Sequence, residues 1–138
     1  MAEVISGSQH IVRREEGVLF FEANGPIRES DLDALIRLGN EAAETHSVYW
    51  VLADVRKMTD VEATARRRAA KNPAAHLFAG AAVFGAGLLV RTLFTLIVRG
   101  MVMLGQSHIQ LRFFDTEAEA REWLAEQRAK TPPSSANR

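Results

Sequence analysis

The chain has 138 residues, enough for one domain with a hydrophobic core, and its 47% hydrophobic and 25% charged residues are typical of a globular protein. Its 17 basic and 17 acidic residues balance, so no overall field favours nucleic acid or anionic lipid. The absence of cysteine excludes disulfides, thiolate nucleophiles and cysteine-bound metals. The first ten residues lack the basic and apolar regions of a signal peptide, so we expect a cytoplasmic protein.

The N-terminal half predicts a hairpin, a helix, a buried strand and a second helix. Residues 1–9 are small and polar, and we expect them to be flexible. Two strands around a turn near Gly17 are predicted by HIVRREEGVLFFEANG. A helix capped by Ser30 and Asp33 is predicted by ESDLDALIRLGNEAAETH. The apolar run SVYWVLADV indicates a strand buried on both faces, and Thr59 is predicted to cap the next helix, VEATARRRAAKN.

The C-terminal half continues the alternation of strands and helices. A buried strand is predicted by HLFAGAAVFGA, a third helix by GAGLLVRTLFTLIVRGMVMLG and a further strand by HIQLRFF. Thr116 and Glu119 are predicted to cap a fourth helix, and we expect residues 131–138 to form a disordered tail. This order predicts an α/β fold with a five-stranded, mainly parallel mixed sheet and four helices, in one domain over residues 10–130.

The third helix is the most apolar segment of the chain. Arg91 and Arg99 argue against a transmembrane span, because one of them would lie well inside the hydrocarbon. Arg91, Thr95 and Arg99 recur every four residues and are predicted to form the solvent face. The remaining apolar arc is wider than a core contact needs, so we expect part of it to meet a second subunit, an acyl chain or a bilayer surface. Coverage by neighbouring loops and the N-terminal segment is the alternative.

We therefore predict an interaction or lipid-binding surface on this helix, comprising Leu89, Arg91, Leu93, Phe94, Leu96, Ile97, Arg99 and Met101. A second candidate surface is a basic patch on the second helix at Arg67, Arg68 and Lys71. These cations are either a solvated helix face or a contact for an anionic headgroup or an acidic partner. A homodimer or another protein is the expected partner of the third helix, and a hydrophobic ligand is the alternative.

Nothing in the sequence indicates catalysis. The four histidines are scattered without metal-ligand spacing, and no serine lies in a Gly-x-Ser-x-Gly motif. The GAGLLV stretch lacks the third glycine of a dinucleotide-binding fingerprint. We therefore expect no catalytic residue, no metal and no cofactor.

Three stretches carry a resemblance to a known family: VYWVLADVRKMT, HLFAGAAVFGAGLLVRTLF and LRFFDTEAEAREWL. They are similar to the STAS superfamily, especially its SpoIIAA-like branch of small stand-alone bacterial proteins. The resemblance implies the fold described above and a non-enzymatic regulatory role. In phospho-switched STAS proteins, a serine in an Asp-Ser-Ser-Gly-Leu loop is phosphorylated, which breaks a complex with an anti-sigma-factor kinase. The equivalent stretch here is MTDVEA, which lacks the glycine and offers Asp60 at the acceptor position with Thr59 as the nearby hydroxyl.

SpoIIAA-like proteins are also similar to a eukaryotic lipid-transfer fold in which a mobile apolar helix covers a lipid pocket. That similarity implies an alternative function for this chain: binding or transfer of a lipid at the membrane periphery, with the third helix as a lid. Gly85 and Gly105 would then be hinges, and Arg91 and Arg99 would meet the headgroup.

Overall fold

The structure is a computed structural model that describes residues 2–4, 9–106 and 108–130. Within these residues, six strands and four α-helices alternate along the chain. The strands are β1 (Ala2–Val4), β2 (Ile11–Glu15), β3 (Val18–Ile27), β4 (Tyr49–Val61), β5 (Phe78–Phe84) and β6 (Gln110–Phe114). The helices are α1 (Glu29–His46), α2 (Ala63–Ala70), α3 (Leu88–Met103) and α4 (Glu117–Lys130), and a short 3-10 turn precedes β5.

The strands form one sheet in the order β1 to β6. The pairs β1–β2 and β2–β3 are antiparallel, whereas β3–β4, β4–β5 and β5–β6 are parallel and are joined by α1, α2 and α3. The predicted α/β class, with its hairpin, parallel strands and four helices, is confirmed. One strand is additional to the five predicted, because Ala2–Val4 within the N-terminal segment pairs with β2. The predicted tail at residues 131–138 lies outside the described residues.

The sheet separates two hydrophobic clusters. Successive side chains of a strand point to opposite faces, so Phe21 of β3 packs towards α1, α2 and α3 while Phe20 packs towards α4. On the α4 side, Trp50 and Trp123 meet edge to face with ring centroids 5.9 Å apart. The other side holds the larger cluster, and the candidate site lies there.

Two of the three predicted helix caps are wrong. Asp31, rather than Asp33, accepts the backbone N–H of Arg28 at 2.9 Å at the start of α1. Strand β4 continues to Val61, so Thr59 lies in a strand and Glu62 precedes α2. The third cap is confirmed, because the Thr116 hydroxyl accepts the N–H of Glu119 and the Glu119 carboxylate accepts the N–H of Thr116, both at 3.2 Å.

Candidate functional site

Helix α3 follows β5 after a short turn. At Gly85, φ is +81°, and a Cβ there would also overlap the side chain of Arg56, so this turn requires glycine. Past the other end of the helix, Gly105 has φ +100°. Two turns that favour glycine therefore bracket the 16-residue helix.

The inner face of α3 completes the larger core cluster. Val90 and Leu93 are buried in it. Phe94, Ile97 and Met101 follow at helical spacing and, with Val98, line a cavity. The helical spacing of these inner residues agrees with the predicted apolar periodicity. The inner face contains only part of the apolar residues of the helix.

The cavity lies between α3, the neighbouring helices α1 and α2, and the sheet, and its volume is about 140 Å³. Its lining is apolar except for Tyr49 and Asn72. A dry apolar cavity of about 150 Å³ in another protein is large enough to bind benzene. The space under α3 therefore matches a small apolar molecule, and a long acyl chain would require α3 to move.

Tyr49 begins β4 at the edge of this cavity. Its ring lies against the backbone of Gly39 in α1, where a Cβ would overlap the ring, and its centroid is 5.5 Å from that of Phe78. Burial raises the pKa of Tyr49 to about 12. The hydroxyl is therefore un-ionised at neutral pH.

Asn72 lies between α2 and the 3-10 turn and is 6% exposed. Its Oδ1 accepts the backbone N–H of Ala74 at 3.0 Å, which fixes the orientation of the carboxamide. Among the described residues, no hydrogen-bond acceptor is found for its Nδ2. Asn72 was not singled out by the sequence, since an Asn before Pro is an ordinary helix-end signal and its burial arises only from the packing of α1, α2 and α3.

The outer face of α3 is apolar and exposed. The exposed fractions are 84% for Leu88, 62% for Leu89, 52% for Leu96, 41% for Val102, 85% for Met103 and 59% for Leu104. No described part of the chain covers these side chains. We call Leu89, Leu96 and Met103 the outer stripe, because they lie seven residues apart along the helix.

The predicted polar stripe of α3 is not its most exposed face. Arg91 is half-buried, since its Nε donates to the carbonyl of Ala86 at 3.1 Å and its guanidinium lies 5.2 Å from the ring centroid of Phe113. Thr95 is half-buried too, and its hydroxyl donates to the carbonyl of Arg91 at 2.8 Å. Only Arg99 of the three is exposed. The helix is thus rotated so that leucines take the solvent side.

The eight residues predicted on α3 consequently divide among different environments. Leu89, Leu96 and Arg99 are exposed, and Leu93 and Met101 are buried. Phe94 and Ile97 line the cavity, and Arg91 is half-buried outside the cavity lining. The sequence therefore located the helix but did not separate its two apolar faces.

The predicted basic patch occupies the end of α2. Arg67 and Lys71 are exposed, but the Nε of Arg68 lies 2.8 Å from the Asp33 carboxylate. Glu29 borders the same shallow depression. The acidic neighbours reduce the local positive potential, which weakens the case for an anion contact.

Thr59 and Asp60, the predicted phospho-switch positions, are exposed near the end of β4. They follow buried Met58 in a strand that pairs with β3. They therefore lie in a strand and not at the predicted start of the second helix, because that helix begins only at Ala63.

Buried or paired acids stabilise the fold around the site. The Asp31 carboxylate lies 3.3 Å from the Nε2 of His10, and both side chains are almost wholly buried. Burial opposes ionisation of Asp54, but hydrogen bonds from Arg56 at 2.7 and 3.0 Å outweigh it and hold the pKa of that carboxyl below its usual range. These carboxylates are engaged with neighbours, and among the described residues no group of three or more His, Asp or Glu side chains could hold a metal ion.

In the part of the chain that the structure describes, no helix combines the length and apolar character that a membrane crossing requires.

Comparisons with solved structures support this architecture. An uncharacterized protein of the DUF3478 family with a SpoIIAA-like fold, from Shewanella loihica PV-4, is 20% identical and superimposes with a TM-score of 0.57 over 82% of this chain and 90% of its own. The anti-sigma factor antagonist SpoIIAA in its unphosphorylated form is 10% identical, with a TM-score of 0.54 over 83% of this chain and 96% of its own. At these identities the likeness shows a shared fold.

No curated protein matches the sequence significantly. The SpoIIAA-like family model, however, matches residues 18–125, which is most of the chain and extends from the start of β3 into α4. The chain belongs to the SpoIIAA-like family.

Proposed function

We propose that this chain is a non-enzymatic regulatory module that binds another protein through the outer face of α3, and that the partner is a second copy of the chain. The observation that carries the proposal is the exposure of six large apolar side chains between Leu88 and Leu104. Monomeric proteins rarely expose a contiguous apolar patch of this kind without a partner. The family relationship supports the regulatory role, since SpoIIAA is an anti-sigma factor antagonist.

The spacing of the outer stripe favours a symmetric partner. Leu89 and Met103 lie equally far from Leu96 along the helix. Two antiparallel copies of α3 crossing at Leu96 would therefore place Leu89 of each against Met103 of the other, as a two-fold interface requires. The same pairing places the two Arg99 side chains on opposite sides of the crossing, so the cations do not face each other. A helix of this length provides a contact strip about 24 Å long.

Replacement of Leu96 by Glu tests this interface. Charge at the centre of the crossing is expected to convert the dimer to a monomer, measured by native mass spectrometry and light scattering, without changing the circular dichroism spectrum. Ala125→Glu is the matched control, because Ala125 is exposed on α4, on the other side of the sheet. A wild-type chain that stays monomeric at high concentration, or a Leu96→Glu variant that stays dimeric, would refute the proposed interface.

The cavity favours a second candidate function, binding of a hydrophobic ligand with α3 as its cover. Four α3 side chains form one wall of the cavity, and few polar atoms interrupt the apolar lining. Native mass spectrometry in detergent-free buffer is expected to detect a bound small molecule. Ala69→Leu, which adds carbons at a buried lining position, should remove it, whereas Ala125→Glu should retain it. Equal adduct in the wild type and Ala69→Leu would contradict binding in this cavity.

A further inference from the structure

We propose that the cavity under α3 recognises a small uncharged apolar molecule that carries one carbonyl-type hydrogen-bond acceptor, and that the Nδ2 of Asn72 donates to that acceptor. This inference rests on the second candidate function, in which the cavity holds a ligand. It adds the chemical class of the ligand and the residue that selects it.

The state of Asn72 carries the inference. The side chain is more than nine-tenths buried, it lines the cavity, and its Oδ1 is already occupied by the N–H of Ala74. The carboxamide also carries two N–H donors on Nδ2. The described residues provide no acceptor for Nδ2, and the cavity that Asn72 lines is otherwise almost wholly apolar, so this amide is the donor available to a ligand that carries an acceptor.

Tyr49 is the other polar side chain of the lining, but its position is less suitable. The ring carbon that bears the hydroxyl lies against the backbone of Gly39, so the hydroxyl end of the ring is next to α1. Asn72 instead lies where α2 ends and the chain turns back to the sheet. We therefore assign recognition of the acceptor to Asn72.

The lining also limits the ligand's charge and size. No acidic or basic side chain contributes to it, so a charged ligand would be desolvated without a counter-ion. The volume of about 140 Å³ suits a molecule of one ring or a short chain. A neutral ketone, aldehyde, ester or lactone of that size fits these requirements.

A matched pair of probes tests the assignment. Cyclohexanone and methylenecyclohexane have the same shape and differ only in the oxygen or CH₂ that ends the double bond. Each is titrated into ¹⁵N-labelled full-length protein and followed by NMR. We expect both to shift the signals of cavity-lining residues, whereas only cyclohexanone shifts the side-chain amide protons of Asn72.

Two variants convert this observation into a measured selectivity. Asn72→Asp keeps an oxygen for the Ala74 N–H but removes the donor. It should raise the dissociation constant of cyclohexanone, relative to that of methylenecyclohexane, roughly three- to tenfold. Tyr49→Phe removes the other polar group and should leave the ratio unchanged. If Asn72→Asp does not fold, the wild-type amide shifts decide alone.

The outcomes distinguish ligand binding in the cavity from recognition of the ligand by Asn72. Binding of both probes with no shift at the Asn72 amide, or with the same ratio in Asn72→Asp, overturns recognition by Asn72 while ligand binding stands. A ratio that changes in Tyr49→Phe instead assigns the selectivity to Tyr49 and also overturns it. Failure of both probes to shift any cavity residue refutes the cavity as a ligand site and the inference with it.

Discussion

Gly39 is the most direct place to test the packing that forms the cavity. It lies in α1, where Ala is more favourable than Gly by about 1 kcal/mol when nothing opposes it. Here a Cβ would overlap the ring of Tyr49, which is buried between α1 and Phe78. Forcing extra carbon into such a contact costs about 1 to 3 kcal/mol, and three overlapping ring carbons indicate the upper part of that range. The Gly39→Ala variant should therefore lose about 2 kcal/mol of unfolding free energy.

The sign should reverse when the ring is absent. In a Tyr49→Leu background, Gly39→Ala should stabilise the chain by up to about 1 kcal/mol, which gives a coupling of about 3 kcal/mol between the two positions. Urea unfolding followed by the fluorescence of Trp50 and Trp123 measures all four proteins. These tryptophans lie in the cluster on the α4 side of the sheet and report global unfolding.

Gly100→Ala is the matched control in another helix. Its Cβ would lie 3.1 Å from the Cβ of Ala70, a mild contact, so we expect a change close to zero or slightly stabilising. Stabilisation by Gly39→Ala in the wild-type background would show that the Tyr49 ring does not lie on α1. An equal loss with and without the ring would place the overlap elsewhere.

Three further predictions follow from the same contacts. Tyr49 is the only tyrosine, so absorbance at alkaline pH should show it ionising near pH 12 rather than near 10, and ionisation near 10 would contradict its burial. Since the unfolded chain loses this proton first, the unfolding free energy should fall by about 2 kcal/mol between pH 10 and 12. The hydrogen bond from Arg121 lowers the pKa of Glu15, so this pair should stabilise the chain at neutral pH and lose its effect as pH falls through the pKa of Glu15 in the folded chain. Glu15→Gln should lower the unfolding free energy, measured in urea, by less than about 1 kcal/mol at pH 7 and not at all in strong acid. A loss that is independent of pH would refute the charge effect. Leu93→Asp should unfold the chain because Leu93 is 7% exposed, whereas Leu96→Asp, at 52% exposure, should leave the thermal midpoint of the monomer nearly unchanged. The midpoints are compared at chain concentrations below the dimer dissociation constant, and equal midpoints would contradict the orientation of α3.

The sequence predicted α1 well because two kinds of signal agreed over its length. The apolar periodicity and the polar first turn place the helix at the residues where it is found. The cap residue itself was missed, since Ser30, Asp31 and Asp33 are all capable acceptors and only the path of the preceding chain selects Asp31. Local patterns thus located the helix more accurately than its hydrogen bonds.

The end of β4 shows why tertiary pairing escapes such patterns. Polar Arg56, Lys57, Thr59 and Asp60 suggest a loop, but Met58 and Val61 are buried and the strand continues beside β3. Register shifts along β3 let buried residues recur every three positions instead of every two. Strict alternation therefore fails where bulges occur, and the predicted helix cap at Thr59 failed with it.

The candidate site depended still more on long-range packing. Most positions of α3 are apolar, so periodicity alone could not decide which leucines face the sheet. That choice follows from the fit of Val90 and Leu93 into the core. The cavity, and the position of Asn72 in its lining, arise from the packing of three helices against the sheet, which no single segment encodes.

The two proposed functions both use helix α3, so binding at one face is thermodynamically linked to binding at the other when the helix moves. Phe94, Ile97 and Met101 line the cavity, whereas Leu89 and Leu96 lie on the opposite side of the same helix. A ligand that shifts α3 on entering must also move the outer stripe, and linkage then requires that self-association change ligand affinity by the same factor that the ligand changes self-association. A ligand that fits without moving α3 would leave the dimer unaffected. Dimer dissociation constants measured with and without cyclohexanone distinguish these cases.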